Sequence, residues 1–183
     1  MITFNFLGKA SLLIIIVYFL SGCATQNISK GASIDDEKGI LVTRIHSNVI
    51  VTVVVSVDKT EVPIVMLKAH PPEELKVVAI NAGDACFDWL ERIYSSPNLP
   101  NVYFTIKPGT ITYVGDLFID WHGGAINGNA YVTIQDKEAE TVHEARIKFP
   151  WLFEKFPYRK NLPGIDYKSM EINIKGHIAG IDE

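Results

Sequence analysis

The sequence predicts a mainly β domain, an antiparallel β-sandwich carrying one or two short helices. Three observations predict it. Short runs dense in valine, isoleucine and aromatic residues recur from Gly39 to Ile178, the composition a pleated, half-buried surface favours. Turn-forming pairs such as Ser47-Asn48 and Pro108-Gly109 punctuate these runs. The strand–helix–strand rhythm of a parallel sheet is missing, and the whole reads as about eight strands.

Taken in order, Ile40 to His46 and Val49 to Val57 flank Ser47-Asn48 and read as a hairpin. Val51 to Val55 is apolar on both faces, which places that strand centrally, covered on both sides. Asp58 to Glu61 is a polar turn, and Val62 to Lys68 a further strand with Pro63 near its start. After His70-Pro71-Pro72, Leu75 to Ile80 forms the next strand. Asn81 to Asp84 then resembles a turn with Asp84 as N-cap. Phe87, Leu90 and Tyr94 at i, i+3, i+7 predict a short helix, although Cys86 to Trp89 also suits an extended chain.

Val102 to Lys107 and Thr110 to Asp120 flank Pro108-Gly109, which meets the φ demands of a type II turn, so this segment predicts a second hairpin. Beyond the turn, Ile111, Tyr113, Leu117 and Ile119 fall on one face, with Thr112, Asp116 and Asp120 on the other. Gly115 interrupts the apolar face, where a bulge or close backbone approach fits. Asn127 to Asn129 reads as a turn and Ala130 to Gln135 as a strand. Asp136 can cap a helix over 137–148 with Ala139, Val142, Ala145 and Phe149 inward, ended by Pro150. Trp151, Leu152, Phe153 and Phe156 form an aromatic plug for the core. Residues 157–167 read as loop, and Met170, Ile172, Ile174 and Ile178 alternate in a closing strand.

Ahead of this domain the chain has a different character. Lys9 precedes the apolar run Ala10 to Leu20, whose 11 residues fall short of the ~20 a spanning helix needs. Leu20-Ser21-Gly22-Cys23 follows. These features resemble the signal and lipobox of bacterial lipoprotein precursors. The resemblance implies cleavage of residues 1–22, diacylglyceryl on the Cys23 thiol, and acylation (a palmitate-type chain) of the new amino terminus. Two or more acyl chains anchor stably where one does not. An uncleaved anchor over Ile2 to Leu20 and an ordinary secretory signal are the competing readings. In a host with two membranes, Ala24 after the cysteine resembles the pattern for export to the outer membrane. Residues 23–38, polar and rich in small side chains, read as a lipidated terminus and tether. Its 15 residues beyond Cys23 reach about 50 Å when extended. Residues 39–183 form the single β-rich domain.

Cleavage leaves 161 of 183 residues, enough for one domain with a real core. It removes one cation, Lys9, and no acid, so the formal charge of −4 becomes −5. A mildly acidic, well-mixed chain offers no electrostatic basis for nucleic acid binding. It also lacks a polybasic patch for anionic lipid, so membrane contact rests on the covalent lipid. With Cys23 lipidated, Cys86 is the single remaining thiol, and no disulfide is expected.

Few residues suggest chemistry. Asp120 and His122 share a strand face and can begin a metal site with Asp116, or present Trp121 to a ligand. Two ligands fall short of the three or four a zinc site needs, and neither H-E-x-x-H nor C-x-x-C occurs. A strand end running into the Gly123-Gly124 loop is the plainer reading. Cys86 with a partner among His46, His70, His122, His143 and His177 would make a thiol nucleophile. However, Asp84 and Asp88 oppose thiolate formation, and a buried structural cysteine fits better. Glu138, Glu140 and Glu144, with Lys137, Arg146 and Lys148, read as a solvated helix face. Nucleophile-elbow, P-loop and dinucleotide motifs are missing, and no cofactor is expected.

The stretch from Tyr103 through Pro108-Gly109 to Asp116 resembles a pattern in small envelope lipoproteins of unassigned function. It is also similar to the Pro-Gly hairpins of transthyretin-like sandwich domains. The functional expectation is a lipid-anchored, non-enzymatic module presenting an edge strand or loop end to an envelope partner. The alternatives are a metal-dependent enzyme or hydrolase using Asp120 and His122, and a small-ligand carrier whose cleft is lined by Trp121 and Tyr113.

Overall fold

The computed structural model describes residues 27–57, 64–91, 98–124, 127–163 and 170–175. The lipobox with Cys23, the turn at 58–61, Tyr94, His177 and Ile178 lie outside the described residues. The strands are β1 (Lys38–Ser47), β2 (Val51–Val57), β3 (Ile64–Ala69), β4 (Glu73–Asn81), β5 (Gly83–Glu91), β6 (Asn98–Ile106), β7 (Ile111–Tyr113), β8 (Asp116–Gly123), β9 (Asn127–Gln135), β10 (Tyr158–Lys160) and β11 (Met170–Lys175). Two short helices, α1 (Glu138–Lys148) and α2 (Pro150–Lys155), lie between β9 and β10.

Two sheets face each other, as a β-sandwich requires. The smaller has the order β3-β2-β5-β6 and is antiparallel throughout. In the larger, β4 lines one edge of β1, and β7 and β8 in succession line the other. The larger sheet is mixed. β1 runs parallel to both β7 and β8, and β7 runs parallel to β10, whereas β8-β9 and β9-β11 are antiparallel. The main core lies between the sheets and includes Leu41, Val53, Phe87, Phe104, Leu117 and Trp121. A second core, with Ile40, Val77, Tyr113, Val142 and Leu152, fills the space between the larger sheet and the helices.

The central position expected for β2 is observed, with Val53, Val54 and Val55 all fully buried. Its expected pairing is not. β1 and β2 lie in different sheets, so Ser47-Asn48 turns a corner rather than closing a hairpin. The Asn48 side chain makes the corner possible by standing in for backbone. Its Oδ1 accepts from the Trp121 N–H and its Nδ2 donates to the Trp121 carbonyl, both at 2.9 Å. This extends the pairing of β1 with β8 while the main chain departs.

The Pro108-Gly109 hairpin is corrected in the same way. Gly109 has the expected positive φ, +61°, yet β6 belongs to the smaller sheet and β7 to the larger. The Gly109 N–H donates to the Lys38 carbonyl, and the Ile40 N–H donates to the Thr110 carbonyl. The turn is therefore fastened to the start of β1. After β7, Gly115 (φ +95°) breaks the chain and resets its facing. Ile111 and Tyr113 point to the helices, but Leu117 and Ile119 point between the sheets, so the four do not share a face.

The helix expected after Asp84 is a strand, β5. Phe87 and Leu90 are both fully buried between the sheets despite their odd spacing. A register shift resolves this: Val54 pairs with Trp89 and Val55 with Phe87, leaving Asp88 as the extra residue of a bulge. The bulge imitates helical periodicity. Residues 127–129 belong to β9 rather than to a turn. Residues 158–160, read as loop, pair with β7.

α1 begins one residue later than expected. Asp136 Oδ1 accepts from the Glu138 N–H at 3.3 Å, and acids in the first turn with bases in the last complement the helix dipole. Its buried residues are Thr141, Val142 and Ala145, while Ala139 is exposed. Pro150 opens α2 rather than ending the chain's helical path, and it seats Leu152, fully buried, in the second core. Trp151, Phe153 and Phe156 pack half-buried around that core.

Contacts with the sheet also begin ahead of Gly39. Asn27 and Ile28 hydrogen-bond to β4, and Ile28 and Ile34 pack on the second core. Asn27, Ile28 and Ile34, all within the stretch read as tether, are therefore docked.

Candidate functional site

β8 carries three of the polar residues that the sequence marks, and alternation places them on one face of the larger sheet. Asp120 and His122 are brought together as expected, with Nε2 and Oδ2 2.8 Å apart. Asp120 Oδ1 also accepts from Asn48 Nδ2 at 2.9 Å, and the His122 ring meets Tyr131 edge-on at 5.4 Å. Both side chains are about 60% exposed, at 60% and 59%. Among the described residues, no group of three or more His, Cys, Asp or Glu side chains is placed to hold a metal ion.

Asp116 does not join them. Four residues away along the strand, about 13 Å, it is 1% exposed beneath α1. Its carboxylate accepts from Thr141 Oγ1 at 2.7 Å and from the Tyr113 hydroxyl at 3.1 Å, and it faces His46 Nε2 at 3.3 Å. Burial pushes this carboxyl above its ordinary range, against the opposing pull of the hydrogen bonds from Thr141, His46 and Tyr113. The Tyr113 hydroxyl, raised by burial and then by the Asp116 charge, also accepts from the Lys137 N–H at 2.8 Å.

The network continues outward through residues the sequence reading did not group. The His46 ring stacks on Phe118 at 4.0 Å and 4°, and its Nδ1 lies 3.0 Å from Glu73 Oε2. Arg44 bridges Glu73 to Glu144 on α1, and Glu144 pairs with Lys148 at 2.6 Å. One signal was available: Arg44 and His46 fall two apart on β1, so both side chains share one face of a strand rich in apolar residues. What they would meet was not legible.

Chemically this cluster is a clamp. Both nitrogens of His46 face carboxylates, which leaves neither open to take a proton from a nucleophile. The Thr141 hydroxyl beside it is spent on Asp116. The arrangement fixes α1 to the sheet through Asp116 at one end and Arg44 at the other.

The remaining candidates are scattered. Cys86 is half-buried rather than in the core: Ala85 and Phe87 face inward, and Cys86 lies on the outer face of the smaller sheet opposite Ser56 and Tyr103. Two sheets and the main core separate it from His46. His70 and His143 are exposed, and His70 is paired with Glu74. Trp121 belongs to the main core and Tyr113 to the second, on opposite faces of one sheet, so they line no common cleft. A shallow depression of about 420 Å³ beside α1 is lined by residues including His143, Arg146 and Tyr158. The Tyr158 hydroxyl there is taken by Glu138, and Arg146 lies over the Phe153 ring at 4.5 Å.

No family model matches the chain, and no match to it was found among the curated proteins.

Proposed function

We propose that the protein is a lipid-anchored envelope module that binds or braces rather than catalyses. The observation that carries this reading is Leu20-Ser21-Gly22-Cys23 after Lys9 and the apolar run, directly ahead of a compact β-sandwich. The lipid on Cys23 supplies membrane attachment. No helix among the described residues is long and apolar enough to cross a membrane. In a host with two membranes, Ala24 directs the protein to the outer one, facing the periplasm. Its partner is another envelope component, met at an end strand such as β3 or at a loop end. Binding rather than catalysis is supported by the titratable clusters, since the buried one is closed on itself and the exposed one offers two ligands.

Cys23→Ser is the direct test. The wild-type chain should incorporate labelled fatty acid and partition with membranes, whereas the variant should lose the label and either leave the membrane fraction or remain unprocessed. A variant that stays processed and membrane-bound would sink the reading. For the exposed pair, the expected result is that His122→Ala leaves the metal content of the purified chain unchanged. Metal lost on that substitution would revive a metal-dependent activity at Asp120 and His122.

A further inference from the structure

The chain reaches the sheet four residues after Cys23. Asn27 is pinned to the outer edge of β4 by both ends of its amide: Nδ2 donates to the Leu75 carbonyl at 3.0 Å, and Oδ1 accepts from the Val77 N–H at 2.7 Å. The Ile28 N–H donates to the Val77 carbonyl at 2.9 Å, and its side chain, 9% exposed, enters the second core. Ala24, Thr25 and Gln26 alone separate this clamp from Cys23. Four Cα steps span at most about 14 Å.

We propose that the anchored domain is held against the lipid headgroups by the β4 edge of its larger sheet, rather than lifted clear on a tether. The proposal rests on the lipid-anchor reading, because acyl chains on Cys23 fix that residue at the bilayer surface. From Ala24 to Ile34 the single charged residue is Lys30, exposed in the turn after Ile28, and the exposed acids Asp35, Asp36 and Glu37 follow, so it is the length of chain and not charge that favours this placement. The sheet then leads away from this edge through β1 and β8 to β9. At about 4.8 Å per strand, β9 lies about 14 Å from β4.

The test uses the full lipidated chain in liposomes with acceptor-labelled headgroups and Cys86→Ser as background. A donor dye is placed through Ser29→Cys or Tyr131→Cys, each with and without a twelve-residue Gly/Ser insert between Gln26 and Asn27. Energy transfer is read only from protein that floats with the vesicles. Transfer from position 29 should exceed that from position 131 several-fold, and the insert should reduce it several-fold. Equally weak transfer from both positions in floating protein, or no effect of the insert, overturns the proposal and leaves the lipid reading intact. Protein that does not float overturns the lipid reading and this proposal together.

Discussion

Asp116→Ala is expected to lower the unfolding free energy by about 3 kcal/mol, the scale for removing one partner from a buried charged network. The reason lies in what it leaves behind. The Tyr113 hydroxyl, Thr141 Oγ1 and His46 Nε2 all lose their shared acceptor at a site that is 1% exposed. Asp116→Asn keeps the volume and one acceptor oxygen, so its cost should be smaller. It also isolates the titration. The folded pKa of Asp116 is raised above 3.8, with burial as the first cause, so the folded state holds this proton more tightly than the unfolded one. The resulting stability is fully present below the ordinary carboxylate value and is lost as pH rises through the raised one. The stability gap between wild type and Asp116→Asn should therefore narrow from acid toward neutral pH. Glu74, Asp136, Glu138 and Glu144 titrate in the opposite sense. Their pKa values are lowered, chiefly by neighbouring hydrogen-bond donors working against desolvation. The stability they confer is lost as pH falls through those values, and it cancels from the comparison. Urea unfolding across that range, on a chain beginning at Asn27, gives both results, and a constant gap would reject the assignment.

Gly115→Ala is expected to cost about as much, through backbone rather than charge. Its φ of +95° is strained for any residue with a Cβ, and that Cβ would lie 2.6 Å from Ile134 Cγ2 and 3.4 Å from the Gln135 carbonyl. Strain of about 1–2 kcal/mol adds to a steric clash in a packed core. Together these correspond to a fall in Tm of roughly 10 °C for a domain of this size. Gly109→Ala is the control. It has a positive φ of +61° but nothing within 4 Å of a new Cβ, so the strain alone should remain. Equal losses at both positions in a thermal melt would show that the close approach at Gly115 contributes nothing.

Gly115 also shows where reading the sequence stops. The sequence suggests a bulge or a close backbone approach at Gly115, whereas the tight neighbour there is a side chain, Ile134. That the chain would reverse its facing there, so that Tyr113 and Leu117 enter different cores, was not legible, and the Gly115 carbonyl accepts from the Thr43 hydroxyl at 2.7 Å. The partner is 72 residues away. α1, by contrast, was legible because its determinants are local: Val142 and Ala145 lie inward at helical spacing, although Ala139, expected with them, is exposed. Asp120 and His122 were legible for the same reason, since alternation on a strand is a property of neighbours. The network around Asp116 was not, since it is assembled from β1, β4, β7 and α1, with the Arg44–Glu144 contact spanning 100 residues.

By itself, the sequence determined that this chain is mainly β, where most strands lie, and that Pro108-Gly109 must turn. It also supplied the whole case for Cys23. The tertiary structure alone decided that neither expected hairpin forms, that β5 is a strand with a bulge at Asp88, and that Asn27 closes the edge of β4. The physical reason is the same throughout. A strand's backbone donors and acceptors are satisfied by any partner of suitable length, and a turn fixes only the local direction of the chain. Which sheet a strand joins is set by burying Leu41, Phe87 and Leu117 together between two sheets, a condition that no short window of sequence contains.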